Sequence, residues 1–226
     1  MGDAVAELVR LSKRNLSDHS GEHSIAQSGG EVIDSDFALP TVDQQLAPTL
    51  PSIETFVKST DGAITPMGTD EALTAVWMPA VEAAARRVQH WAEGAGVEMV
   101  GDAYITVSLT SAAEVNGEAH FDDDHFDPDA GAGLVAIVGD RGGPSVASQP
   151  IPHDPVRPHQ PITATDQVKA DFAHGGFGRV DYGPNQLVAL PQFGQLHSGP
   201  GSCGAGDQVR RLLVFRASTV PSPRQL

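Results

Sequence analysis

Residues 183–200 read Gly183-Pro-Asn-Gln-Leu-Val-Ala-Leu-Pro-Gln-Phe-Gly-Gln-Leu-His197-Ser-Gly-Pro200. The apolar run Leu187–Leu190 is too short for a helix and is bounded on both sides by Gly and Pro, the signature of a buried strand between turns. The same pattern recurs. Leu134–Val138 is a short apolar run between glycines, and Arg211–Phe215 is another. Tyr104-Ile-Thr-Val-Ser-Leu109 alternates and is rich in β-branched residues, so it is also a strand. No helical pattern of comparable strength separates these runs. The expected class is therefore mainly β with helices on the N-terminal side (α+β), as an antiparallel sandwich, jelly roll or small barrel.

Upstream of these runs the pattern differs. Residues 1–65 are expected to form an irregular arm, with a single short helix at Ala4–Leu11 and then Ser, Gly, Asp and Pro without a clear period. Residues 66–226 form the folded domain. Its best helix signal is Asp70–Gly94, capped by Thr69 or Asp70. Pro79 breaks or kinks this pattern, or starts a second helix at its first turn. Val81, Ala84, Ala85, Val88 and Trp91 share one face, and Gly94 suits the stop. Trp77 and Trp91 are expected as core anchors against the sheet.

Composition removes several classes. The 226 residues contain one cysteine, Cys203, which excludes internal disulfides and thiolate metal clusters. Cys203 sits in a Gly-rich stretch without a visible base, so it is read as incidental. The formal net charge of -15 argues against tight binding to nucleic acid or anionic lipid. No run of apolar residues is long enough for a membrane span. Met1–Lys13 carries no secretory pattern, so a cytoplasmic protein is expected.

His120-Phe-Asp122 sets an imidazole and a carboxylate two residues apart, on one face of an extended strand. His197 adds a second imidazole far along the chain. Two neutral imidazoles and a carboxylate make a facial triad, the ligand set of non-haem iron(II) oxygenases, with positions left open for a co-substrate and O2. Thirteen residues after His197, Arg210 opens the strand Arg-Arg-Leu-Leu-Val-Phe-Arg216. A fixed, bidentate cation of this kind suits the distal carboxylate of a keto-diacid. An internal competitor exists: His125-Phe-Asp127 repeats the triplet five residues on, beside Pro128, and is less favoured because it suits a loop.

Four pieces occur in the order seen in the 2-oxoglutarate- and iron(II)-dependent oxygenase superfamily. They are the strand entering His120-Phe-Asp122, the run Leu134-Val-Ala-Ile-Val-Gly-Asp-Arg-Gly-Gly-Pro-Ser-Val146, the His197 segment, and the strand from Arg210 to Arg216. Over roughly residues 100–217 the chain resembles that superfamily. The resemblance implies a double-stranded β-helix core, Fe(II) held by His120, Asp122 and His197, and 2-oxoglutarate and O2 as co-substrates. It implies Arg210 on the distal carboxylate, with Arg211 the alternative if the register slips by one. Arg216 shares the parity of Arg210, and Tyr104 or Thr106 on the preceding strand is placed to reach the co-substrate. A carboxylate at Asp122, where related halogenases carry a small residue, implies hydroxylation with decarboxylation of 2-oxoglutarate to succinate.

Two rivals follow from the same residues. A calcium-binding β-domain would use Asp122–Asp124, Asp127 and Asp129, but lacks the terminal glutamate of a hard-cation loop. A cupin-like metalloprotein without 2-oxoglutarate would draw on His153, His159 or His174, each of which sits among loop residues. The segment Pro150–Arg179 is expected as a polar loop covering the site, which favours a small polar metabolite over a lipid as substrate.

Overall fold

The computed structural model describes residues 29–42, 50–68, 70–112, 118–120, 132–148, 164–191, 195–201 and 208–221. The four expected strands are present, and three of them are longer or better placed than the sequence alone indicates. They are β4 (Val97–Ser111), β5 (Ala132–Gly139), β8 (Leu187–Pro191) and β10 (Val209–Pro221). Three further strands come from the segment expected to be irregular: β1 (Glu31–Asp34), β2 (Ser52–Lys58) and β3 (Ile64–Pro66). All seven join one sheet in the order β1-β8-β5-β10-β4-β2-β3. Every pairing in it is antiparallel. The short strands of the arm were missed because their apolar residues are few. Strand β2 pairs with the long strand β4 and β1 with the apolar β8, while β3 at the sheet edge pairs with β2, so pairing rather than its own pattern stabilises each.

The sheet has two differently covered faces. Leu213, Phe215 and Ala217 of β10 share a core with Leu134, Ala136 and Val138 of β5, Leu187 and Ala189 of β8, and Ile105, Val107 and Leu109 of β4. Helix α1 (Glu71–Gly94) closes this core with Leu73, Trp77, Ala80, Val81, Ala84, Ala85, Val88 and Ala92. The alternate residues Leu212, Val214, Val135, Ile137, Val188 and Leu190 point the other way and pack with Val146. Val146 belongs to a small sheet of β6 (Ser145–Ala147), β7 (Arg179–Asp181) and β9 (His197–Ser198), ordered β7-β6-β9. Strands β5, β8 and β10 are thus covered on both faces, and for that reason their sequences are continuous apolar runs. Strand β4 is fully covered only on the helix side, and it alone alternates.

Helix α1 is one continuous helix despite Pro79. An interior proline costs about 3 kcal/mol. Here buried residues on both sides of it, Trp77 and Val81 among them, hold the two halves on the same sheet face. Asp70 caps the start, its carboxylate accepting from the backbone N–H of Ala72 and Leu73 at 3.0 Å each. The stop lies just past Gly94, where Gly96 takes φ 69°. Trp77 is a core anchor as expected. Trp91 is half-buried and donates its indole N–H to Glu31 at 2.8 Å, tying α1 to the edge strand β1.

A second helix, α2 (Asp166–Ala173), lies within the segment expected to be loop. Thr165 caps it, and His174 at its C-terminus donates to the Ala170 carbonyl at 2.6 Å. Residues 151–163, with His153 and His159, lie outside the described residues, as do Ala4–Leu11 and Cys203. Among the described residues no helix is long and apolar enough to cross a membrane.

Candidate functional site

Strand β9 and the segment bridged to it present His197 and His120 to the space between the sheets, and the residues before them explain why. Ala119 and Leu196 are buried with Ala147, Ala164 and Phe172, the last from α2. On an extended strand neighbouring side chains point to opposite faces. With Ala119 and Leu196 facing α2, His120 and His197 are turned inward. Lys169 of α2 anchors the same segment through a 2.5 Å bond to Glu118, which holds that carboxyl below the usual range.

His120 and His197 form an isolated antiparallel bridge. Each backbone N–H donates to the other's carbonyl, at 2.8 and 3.1 Å. Their rings lie 4.5 Å apart between centroids. The Nδ1 of His120 lies 2.8 Å from the Glu118 carbonyl, and that of His197 lies 3.1 Å from the Gln195 carbonyl. A carbonyl only accepts, so in the neutral ring these contacts set the proton on Nδ1 and leave the lone pair on Nε2. That is the tautomer a metal requires, oriented by a backbone acceptor as metal-binding histidines usually are. His197 is buried.

The two rings open onto a cavity of about 170 Å³, lined also by Ile137, Gly199, Leu212, Val214 and Arg216. Arg216 is the one formally charged group among these lining residues. Its strand neighbours place it well: Arg210, Leu212, Val214 and Arg216 are alternate residues of β10 and share the inner face. Tyr104 and Thr106 of β4 pair with Arg216 and Val214, so they lie on that face too. Tyr104 is 52% exposed.

Arg210 is wholly buried. Its Nε donates to Thr110 at 3.3 Å, and its Nη1 donates to the carbonyls of Pro200 and Gly201 at 3.1 and 2.9 Å. Those carbonyls belong to the loop following His197. Gly139 lets this loop approach, since a Cβ there would stand 3.2 Å from Pro200 and only 2.4 Å from the Gly142 carbonyl. The remaining nitrogen, Nη2, is buried and has no hydrogen-bond partner among the described residues. A buried cation held by neutral oxygens, with one donor unsatisfied, is a site suited to an anion.

Arg211 is corrected by the structure. It lies on the opposite face of β10, paired with Asp140 at 2.9 Å and donating to the Pro40 carbonyl at 2.6 Å. That parity separates it from the histidines. Asp122 and the competing His125 and Asp127 lie outside the described residues. Among the described residues no third His, Cys, Asp or Glu joins His120 and His197 in a metal-binding group.

Two supporting features carried no sequence signal. Tyr182 packs on the inner core and donates its hydroxyl to the Gly30 carbonyl at 2.8 Å, while burial pushes its pKa up. Asp181 joins β7 to β6 by accepting from Ser145 at 2.5 Å. Burial alone would raise its pKa, but the Ser145 hydroxyl and the Arg179 guanidinium outweigh it and hold the carboxyl below its usual value.

No protein-family model matches the chain, and no curated protein sequence matches it. Solved structures do. EvdO2 from Micromonospora carbonacea var. aurantiaca, complexed with 2-oxoglutarate, is 19% identical, with a TM-score of 0.32 over 58% of this chain and 58% of its own. The epimerase SnoN, in complex with Fe3+, alpha ketoglutarate and nogalamycin RO, is 14% identical, with a TM-score of 0.39 over 98% of this chain and 78% of its own. HygX from Streptomyces hygroscopicus, with nickel, 2-oxoglutarate and hygromycin B bound, is 13% identical, with a TM-score of 0.35 over 85% and 83%. The chain is similar to 2-oxoglutarate-dependent enzymes. At these identities and TM-scores the likeness assigns neither reaction nor substrate, and the chain spans little more than half the length of EvdO2.

Proposed function

We propose that the chain is a non-haem Fe(II)- and 2-oxoglutarate-dependent oxygenase built on a double-stranded β-helix, with His120, Asp122 and His197 as iron ligands. The observation that carries this reading is a conjunction. Two histidines with Nδ1 protonated face a cavity, and a buried arginine with an unsatisfied Nη2 lies on the same sheet face. The donor set fits the group. Imidazole nitrogens suit Fe(II), and a guanidinium matches a carboxylate. A cupin-like metal protein would share the histidines but gives Arg210 no role. The calcium reading rests on residues 122–129, which lie outside the described residues.

Each residue has a task in this reading. The iron, with 2-oxoglutarate and O2, supplies the oxidising chemistry, releasing succinate and CO2. His120 and His197 would hold it through Nε2, their rings oriented by the backbone carbonyls of Glu118 and Gln195. Arg210 holds the distal carboxylate through Nη2. The apolar side chains of Ile137, Leu212 and Val214 exclude water from the reacting centre. Hydroxylation of a C–H bond of a small polar metabolite is the proposed outcome.

The test is direct. Under anaerobic conditions Fe(II) raises the Tm of the chain, and 2-oxoglutarate raises it further only when the metal is present. With O2, succinate forms, and His120→Ala or His197→Ala removes both the metal-dependent shift and the succinate. Retention of both by either variant refutes the ligand assignment.

A further inference from the structure

Both histidines sit on very short pieces of sheet. His197 lies on β9, two residues long, and His120 meets it in an isolated bridge. So short a ladder does little to fix a ring, and the residues whose carbonyls accept from the two Nδ1 atoms carry more of that task. They are Glu118 and Gln195, each two positions before its histidine.

The triplets Glu118-Ala-His120 and Gln195-Leu-His197 are built alike. In each, the carbonyl of the first residue meets the ring nitrogen, and the middle residue is buried in the cluster of Ala147 and Phe172. In each, the first residue is also tied by its own side chain to a neighbouring element. The Glu118 carboxylate accepts from Nζ of Lys169 on α2 at 2.5 Å. The Gln195 side-chain amide donates to the carbonyl of Ala147, the last residue of β6. The Ala147 N–H returns a bond to the Leu196 carbonyl at 2.9 Å, so this second tie is doubled. Stability does not explain the first tie. The Glu118 side chain is 77% exposed, and exposed ion pairs add little to folding free energy. Its effect is positional. Helix α2 is seated by the buried Phe172, and its Lys169 holds the Glu118 end of a segment whose other end carries the His120 ring.

We propose that Glu118 and Gln195 are positioning residues, whose side-chain ties to Lys169 and Ala147 hold the two carbonyls that orient His120 and His197. Metal affinity then depends on contacts with α2 and β6 that involve no metal ligand. The inference rests on the oxygenase reading for the histidines as ligands and extends it to side chains that touch no metal.

The experiment titrates the full chain with Co(II) alone. Separately, long-range proton–nitrogen NMR spectra are recorded on the metal-free chain at about pH 8, where ordinary imidazoles are neutral. Glu118→Ala, Lys169→Met and Gln195→Ala are each expected to weaken Co(II) binding about tenfold or more. Combining Glu118→Ala with Lys169→Met weakens it no further than either change alone, because both remove the same contact. Glu118→Gln, which can still accept from Lys169, recovers part of the loss. In the metal-free parent both rings carry the proton on Nδ1. The His120 ring of Glu118→Ala and the His197 ring of Gln195→Ala become mixtures of tautomers, while Tm stays within a few degrees of the parent. A purely structural role would lower Tm and leave the tautomers alone. The proposal is overturned if the variants bind Co(II) within about twofold of the parent, or if the tautomers do not change. If the parent itself binds no Co(II), the oxygenase reading fails instead, and the tautomer spectra still decide whether Glu118 and Gln195 orient the rings.

Discussion

Replacing Arg210 with methionine separates a ligand-binding arginine from a structural one. In the ligand-free chain the guanidinium makes three hydrogen bonds, to Thr110, Pro200 and Gly201. Each contributes about 0.5–1.5 kcal/mol net. Against them stands the desolvation of a wholly buried cation, which costs several kcal/mol. The two nearly cancel, so the ligand-free variant is expected to melt within a few degrees of the parent. The ligand-bound state is different. A ligand at about 100 times its Kd adds about 2.7 kcal/mol. For a chain of this size that is a Tm rise of roughly 5–11 °C. Arg210→Met should lose most of this rise with 2-oxoglutarate and metal, and lose little with pyruvate, which has no distal carboxylate. Scanning calorimetry of both proteins with metal alone, with 2-oxoglutarate and with pyruvate measures all of these shifts. A variant that is strongly destabilised without ligand, yet retains the full 2-oxoglutarate increment, would refute the reasoning, because Arg210 would then only be bracing the loop after His197.

Three other outcomes follow from the packing. Leu196→Ala opens a cavity beneath His197 and should cost about 2–5 kcal/mol in urea unfolding while weakening metal affinity, because the side chain that turns His197 inward is gone. Trp77→Ala should cost about 3–5 kcal/mol and leave the affinity of the folded fraction for metal unchanged, since Trp77 belongs to the helix-side core, across the sheet from the histidines. Glu54 has its pKa raised, first by burial and then by the Asp70 carboxylate. Its protonated form is therefore favoured in the folded chain, and stability falls as pH rises from the ordinary glutamate range through the raised value. Glu54→Gln should raise Tm near neutral pH and flatten that decline, with the gap to the parent closing in acid. A variant that melts below the parent at neutral pH would show that Glu54 makes a stabilising contact as its anion.

Much of the fold is written in strand periodicity, and what escaped it is physically intelligible. The runs at Leu134–Val138, Leu187–Leu190 and Arg211–Phe215 are apolar without interruption because helix α1 covers one face of the sheet and the small sheet covers the other. Strands β1, β2 and β3 carry few apolar residues of their own and acquire their conformation by pairing with β8, β4 and β2 respectively, so no local pattern announces them. Helix α2 escaped for a related reason. It has eight residues, is closed by His174 and a glycine-rich turn, and buries a single aromatic, Phe172.

The site divides in the same way. His120 and His197 meet at one cavity and Arg210 is buried on the facing strand, and these three could be picked out as candidates because side-chain type and spacing are visible in a sequence. The choice between Arg210 and Arg211 was not, because a one-residue step reverses the face of a strand, and only the pairing of β10 with β4 and β5 decides it. The groups that set the histidine tautomers were beyond any sequence reading. They are the main-chain carbonyls of Glu118 and Gln195, and a carbonyl has no side-chain identity to recognise. The alternation of β4 is the most informative pattern in hindsight. Ile105, Val107 and Leu109 are buried under α1, while Tyr104, Thr106 and Ser108 are polar or amphipathic because their face is not roofed by the small sheet. A strand with one sealed face and one open face, placed beside the histidine pair, is where a substrate can approach. If the proposed oxygenase reading holds, its side chains, more than the candidate metal ligands, are therefore the place to look for what sets this chain's specificity.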